Sequence, residues 1–83
     1  MDTTTDVIAV LEQVLGLQGR TRGFTRETRL LGSLPELDSM AVASVLTTLE
    51  ERHGFTIDDD EIDGSAFATV GSLADFVNGK LAR

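Results

Sequence analysis

Ser39 stands where a hydroxyl could do chemistry, directly after Asp38 and at the head of a helix-patterned run that ends at His53. A nucleophilic serine needs a general base within hydrogen-bond reach, and His53 is the only histidine in the chain. Fourteen positions separate 39 from 53, and at about 1.5 Å of rise per residue the two side chains lie roughly 21 Å apart. A Ser-His pair within that helix is excluded. The strained Gly-x-Ser-x-Gly elbow of hydrolases is also missing, because Leu37 and Ala41 flank the serine by two. Lys80 could serve as a base in the manner of Ser-Lys enzymes, but it lies in the last helical segment with no signature around it. What remains is a hydroxyl in the first turn of a helix, behind Asp38, a favoured N-cap type. That end of a helix carries partial positive charge and suits a phosphate ester. The pattern therefore marks Ser39 as an attachment point for a group, although an Asp-Ser pair alone also occurs as an ordinary helix start.

Composition narrows the classes. The chain has 83 residues, 41% of them hydrophobic, with neither Trp nor Tyr, enough for one small domain over residues 1–83 with a single modest core. The absence of cysteine rules out a disulfide framework, a thiolate metal site and a cysteine nucleophile. Residues 1–6 (MDTTTD) carry no basic start and no apolar stretch, so neither a signal peptide nor a spanning segment is expected there. A soluble cytoplasmic protein is the expectation, without membrane insertion. Net charge is −7 and unevenly placed. Residues 36–63 hold nine acids against Arg52, a balance of −8, whereas residues 17–35 hold four arginines against Glu27, a balance of +3. Such a field repels phosphate backbones, which disfavours nucleic acid, and suits basic patches on partner proteins, with steering that weakens as salt rises. For any single surface charge, solubility is the simpler account.

The elements that must position Ser39 follow from periodicity. Val7, Leu11 and Val14, with Ile8 and Leu15 beside them, make a helical stripe that Thr4 or Thr5 can cap and Gly16 can end. Residues 17–38 sustain no period and are punctuated by Gly19, Gly23, Gly32 and Pro35, which predicts a long loop anchored by Phe24, Leu30, Leu31 and Leu34. Residues 39–53 place Val42, Val45, Leu46 and Leu49 at i, i+3, i+4 and i+7, a buried stripe that leaves Met40 almost opposite and partly exposed. Gly54 breaks this second helix, His53 suits its C-terminus, and Phe55 and Ile57 return to the core. Asp58 and Glu61 read as a capping-box start of a short third helix with Ile62 and Phe67 facing inward. Asp59, Glu61, Asp63 and Gly64 also fall at positions 1, 3, 5 and 6 of a calcium loop, but position 12 is Val70 rather than the bidentate glutamate, which leaves only weak divalent binding. Thr69 caps a last helix in which Val70, Leu73, Ala74, Val77 and Leu81 recur, with Phe76 adjacent. No strand alternation appears, so the fold expected is all-α, a four-helix bundle of three longer helices and one short one, with a long loop between helices one and two.

Asp38-Ser39-Met40, the Leu49-Glu50-Glu51 ending of the second helix, the acidic cluster after Ile57 and Thr69-Val70 together resemble the acyl carrier proteins over residues 7–81. Thr28-Arg29-Leu30-Leu31-Gly32 fits that family's hydrophobic loop turn ahead of the serine, while Ser33-Leu34-Pro35-Glu36-Leu37 stands where many bacterial fatty-acid carriers have a shorter Gly-x-Asp-Ser link. The resemblance implies a non-catalytic carrier. It implies that a phosphopantetheinyl transferase sets 4′-phosphopantetheine on Ser39, and that acyl groups then ride as thioesters between an acyl-loading ligase and the acyl-processing synthases or transferases of fatty-acid or specialised lipid and polyketide synthesis. It implies partner docking through Asp38, Met40, Glu50 and Glu51, and it fits a monomer. Val45, Leu46, Leu49, Ile62 and Val70 could line an interior for the acyl chain, and core packing explains the same residues. Ala41 and Ser44 replace acids common in fatty-acid carriers, which makes the first turns of the docking helix less charged. The alternatives are a peptidyl or aminoacyl carrier with the same modified serine, and a cofactor-free helical adaptor. An enzyme reading lacks a nucleophile-base pair, a phosphate-binding loop and a metal constellation.

Overall fold

A computed structural model describes residues 3–17, 19–34, 37–58 and 64–81. Three α-helices carry the fold: α1 (Thr3–Leu15), α2 (Ser39–His53) and α3 (Val70–Leu81), with 3₁₀ turns at Arg20–Gly23 and Gly64–Phe67. The all-α architecture and the long loop between the first two helices agree with the sequence. Of the start expected for a short helix, Asp58 is described and irregular, whereas Asp59, Glu61 and Ile62 lie outside the described residues, as do the acids of the calcium pattern. The stretch that follows is a 3₁₀ turn, and its Phe67 is buried as the sequence suggests.

α1 packs along both α2 and α3 and so forms the spine of the domain. Its buried face is Val7, Val10 and Leu11, with Ile8, Val14 and Leu15 half-buried at the margins. Val10 lies outside the expected stripe, yet it sits one turn from Val7 and Val14 and faces the interior with them. Neither Thr4 nor Thr5 is an N-cap, because the helix already includes Thr3. The far end behaves as the sequence suggests: Gly16 takes a left-handed φ of 66°, and the N–H of Leu17 donates to the Glu12 carbonyl at 3.2 Å. This bond spans five residues, as in a Schellman cap, and Leu17 is buried directly beyond it.

The loop is ordered by being tied at both ends of its course. Glu12 on α1 accepts from the backbone of Gly19 at 3.0 Å and from the Thr21 hydroxyl at 2.7 Å. Further on, the chain runs beside the start of α3: Leu30 and Leu31 donate to the carbonyls of Ala68 and Phe67, and Val70 and Gly71 donate back to those of Thr28 and Arg26, all at 2.9–3.0 Å. Gly71 is buried because the Arg26 backbone lies against it, so that a Cβ there would stand 3.0 Å from the Arg26 carbonyl oxygen. Thr69 is the cap expected for α3, and Ser72 answers it reciprocally, each backbone N–H donating to the other's hydroxyl at 3.0 Å.

Leu30 and Leu37 are the loop's buried anchors, with Phe24 and Leu34 packed half-buried against the core. Leu31 departs from expectation. It is 45% exposed, because it starts the turn 31–33 that the Ser33 and Leu34 N–H groups close onto the Leu30 carbonyl. Leu81, expected in the buried stripe of α3, is likewise exposed in the helix's last turn. The core is completed by Val45 and Leu49 of α2, Phe67, and Val70, Leu73, Ala74 and Val77 of α3. Each fully buried Val, Leu or Phe contributes about 1.5–3 kcal/mol relative to an exposed position. Among the described residues no helix is long and apolar enough to cross a membrane.

Candidate functional site

Leu37 fixes the approach to the site. It is only 6% exposed, and its N–H donates to the Leu34 carbonyl at 3.0 Å, so the chain enters α2 from a buried anchor two residues upstream of Ser39. Asp38 then adopts an extended backbone (φ −102°, ψ −174°) and its Oδ1 accepts the Ala41 N–H at 2.8 Å, while the Asp38 carbonyl receives the first helical bond, from Val42. Asp38 is thereby fixed as the N-cap, the role the sequence assigns to its residue type. Ser39 and Met40 are the first two helical residues, and their amides have no hydrogen-bond partner among the described residues. Both side chains are exposed, Met40 by 81%.

The exposed side of α2 runs through Met40, Ala43, Ser44 and Thr47 to Glu51. It is uncharged for two turns beside Ser39, and its acidic character begins only at the far end. The two glutamates there differ. Glu51 is exposed, whereas Glu50 is half-buried with Oε2 accepting the Ile57 N–H at 2.6 Å. Arg52 turns away from this face toward α1, 3.5 Å from Asp6 Oδ1. His53 closes the helix at the end opposite Ser39 and stacks on Phe55, with ring centroids 5.7 Å apart and planes 12° from parallel. The helix end itself is capped by Gly54 in the left-handed region (φ 74°), whose N–H donates to the Glu50 carbonyl. Within α2, then, Ser39 has no base beside it.

Of the expected interior-lining residues, Val45, Leu49 and Val70 are fully buried, Leu46 is half-buried, and Ile62 lies outside the described residues. A separate surface depression, lined by Arg26, Glu27, Thr69, Gly71, Ser72 and Asp75, sits at the junction of the loop and α3 and does not include Ser39. Its polar groups are engaged with one another: Arg26 grips both oxygens of Asp75 at 2.9 Å.

An exposed serine heading a capped helix on a small helical scaffold is the geometry on which the comparisons with known proteins bear. The family model of the phosphopantetheine attachment site matches residues 5–77. The solution NMR structure of a holo acyl carrier protein from Nitrosomonas europaea is 48% identical in sequence, covers 100% of both chains and superposes with a TM-score of 0.92. The chain belongs to the acyl carrier protein family. No curated protein sequence gives a match. As a member of that family the protein is a non-catalytic carrier whose cofactor is phosphopantetheine. This membership sets aside the cofactor-free adaptor.

The start of α2 fits such a group. A phosphodiester on an exposed first-turn oxygen would lie at the positive end of the helix, within the region of the Ser39 and Met40 amides, with Asp38 already committed to the Ala41 N–H. Sequence reasoning places Ser39, its cap Asp38 and the exposed Met40 at one helix end. It misses the hydrogen bond from Ile57 to Glu50, which joins residues seven apart across a helix terminus and leaves no periodic trace.

Proposed function

We propose that Ser39 Oγ is the attachment atom for 4′-phosphopantetheine and that the protein shuttles acyl groups as thioesters on that arm. The observation that carries this reading is the exposed serine at the first position of α2, with Asp38 fixed as its N-cap and Met40 standing free of the core beside it. In the loading step the Ser39 oxygen attacks the phosphorus of coenzyme A that bears the pantetheine. A new P–O bond forms at the serine, the pyrophosphate bond breaks, adenosine 3′,5′-bisphosphate departs and the transferase takes the hydroxyl proton. The base must come from the transferase, because α2 supplies none near the serine. The arm brings the thiol, since the chain has no cysteine.

Partners in this reading are a phosphopantetheinyl transferase, an acyl-loading ligase and acyl-processing enzymes. They meet Asp38 and Met40 at the loaded end of α2 and Glu50 and Glu51 at its far end. The turns between are uncharged, with Ala41 and Ser44 where fatty-acid carriers commonly hold acids, and the reading spans partners of fatty-acid and of specialised lipid or polyketide synthesis, with the protein acting as a cytoplasmic monomer.

The test is intact mass before and after incubation with coenzyme A and a broad-specificity phosphopantetheinyl transferase. Wild type should gain one phosphopantetheine and Ser39→Ala none. A gain in Ser39→Ala, or no gain in folded wild type with several transferases, would overturn the assignment.

A further inference from the structure

Three contacts hold the chain where it leaves α2. Gly54 turns it through a left-handed conformation and bonds back to the Glu50 carbonyl at 2.8 Å. Phe55 stacks on His53 and packs against the core. The Glu50 carboxylate receives the Ile57 N–H at 2.6 Å. Glu50 thus grips the same exit with both its main chain and its side chain, and a bond from an amide to a carboxylate belongs to the short, strong class. Its neighbour Glu51 points to solvent. Two acids adjacent in sequence therefore stand in different situations, and only one has structure resting on it.

We propose that Glu50 is a positioning residue that latches the segment 55–57 onto the core, and that a cationic group presented by a docking partner competes with the Ile57 N–H for this carboxylate. The latch stands on the hydrogen bond alone, whereas its release by a partner rests on the carrier reading above. The charge pattern supports a cation as the competitor: Arg52, the nearest basic residue in sequence, is turned toward Asp6 on α1 and leaves this end of α2 acidic.

Amide hydrogen exchange followed by NMR on the full-length apo protein tests both parts. Losing a charge-assisted bond should accelerate exchange at Ile57 about tenfold or more in Glu50→Ala, with Glu51→Ala leaving it unchanged. Glu50→Gln keeps a neutral acceptor, so Ile57 should exchange at a rate between wild type and Glu50→Ala. Unchanged Ile57 exchange in Glu50→Ala overturns the latch. Equal acceleration at Ile57 and at the core amide of Val45 in both Glu50 variants also overturns it, because that pattern means general destabilisation. Adding a phosphopantetheinyl transferase without coenzyme A should accelerate Ile57 exchange in wild type. A transferase that modifies Ser39 yet leaves Ile57 exchange unchanged overturns the release step. Failure of the modification itself counts against the carrier reading and leaves the latch to be judged by the variants.

Discussion

Replacing Gly71 by alanine sets two physical effects against each other in one helix. Gly71 is an α3 residue without a left-handed φ, so intrinsic propensity alone predicts that alanine stabilises the protein by about 1 kcal/mol. The structure predicts the opposite sign. The new methyl would stand 3.0 Å from the Arg26 carbonyl oxygen, 3.1 Å from its Cβ and 3.2 Å from its Cζ. Arg26 is poorly placed to retreat, because its carbonyl accepts the Gly71 N–H at 2.9 Å and its guanidinium holds both oxygens of Asp75 at 2.9 Å. Forcing a methyl into such a contact costs typically about 1–3 kcal/mol, which exceeds the propensity gain at most of that range. The expected net loss is about 1 kcal/mol, or roughly 4–8 °C in Tm for a domain of this size. Gly79 supplies the internal control: it lies in the same helix, and a methyl group added there would meet nothing within 4 Å, so Gly79→Ala should stabilise by up to about 1 kcal/mol. Urea denaturation followed by far-ultraviolet circular dichroism measures both, the absence of Trp and Tyr making intrinsic fluorescence a poor probe. If Gly71→Ala proves as stabilising as Gly79→Ala, the close approach of the loop to α3 is wrong.

Asp38→Asn should keep the cap and the fold while removing a charge beside Ser39, so that a slower transferase reaction at unchanged stability would identify docking; Asp38→Ala should in addition lose about 1 kcal/mol in the same urea measurement. Leu30→Ala should cost about 2–5 kcal/mol, whereas Leu31→Ala, one position away and half in water, should lie within about 0.5 kcal/mol of wild type by thermal unfolding.

Much of this molecule is legible in its sequence. Asp38 and Gly54 bound α2 as their residue types require, and Thr69 opens α3. Those signals are local, since a cap acts within one turn of the residue that provides it. The loop is legible only as a loop. Its pairing with the start of α3 joins residues 26–31 to residues 67–71 through backbone groups, which carry no side-chain signature. The choice between Leu30 and Leu31 follows from that pairing and the turn 31–33 after it, so in the sequence both look like anchors. Glu50 shows a different limit. Its charge and position suggest docking, and the sequence does not reveal that its carboxylate also receives a backbone amide from the next segment. Thr4 and Thr5 mislead because capping types placed in tandem give no unique helix start, and α1 already includes Thr3.

The loop's hold on α3 also closes the amides of that helix start to any other group. Each described helix start carries alcohols: α1 opens on Thr3, Thr4 and Thr5, α2 on Ser39, and α3 has Thr69 and Ser72 at its first turn. At α3 the amides of Val70 and Gly71 belong to the loop carbonyls, that of Ser72 belongs to Thr69, and the one proton of the Ser72 hydroxyl is shared between the Ala66 and Thr69 carbonyls, each 2.9 Å away. An incoming phosphoryl donor finds these amides already taken. The loop thus takes the start of α3 out of play, whereas on the carrier reading proposed above the exposed Ser39 keeps the open amides of its own helix start.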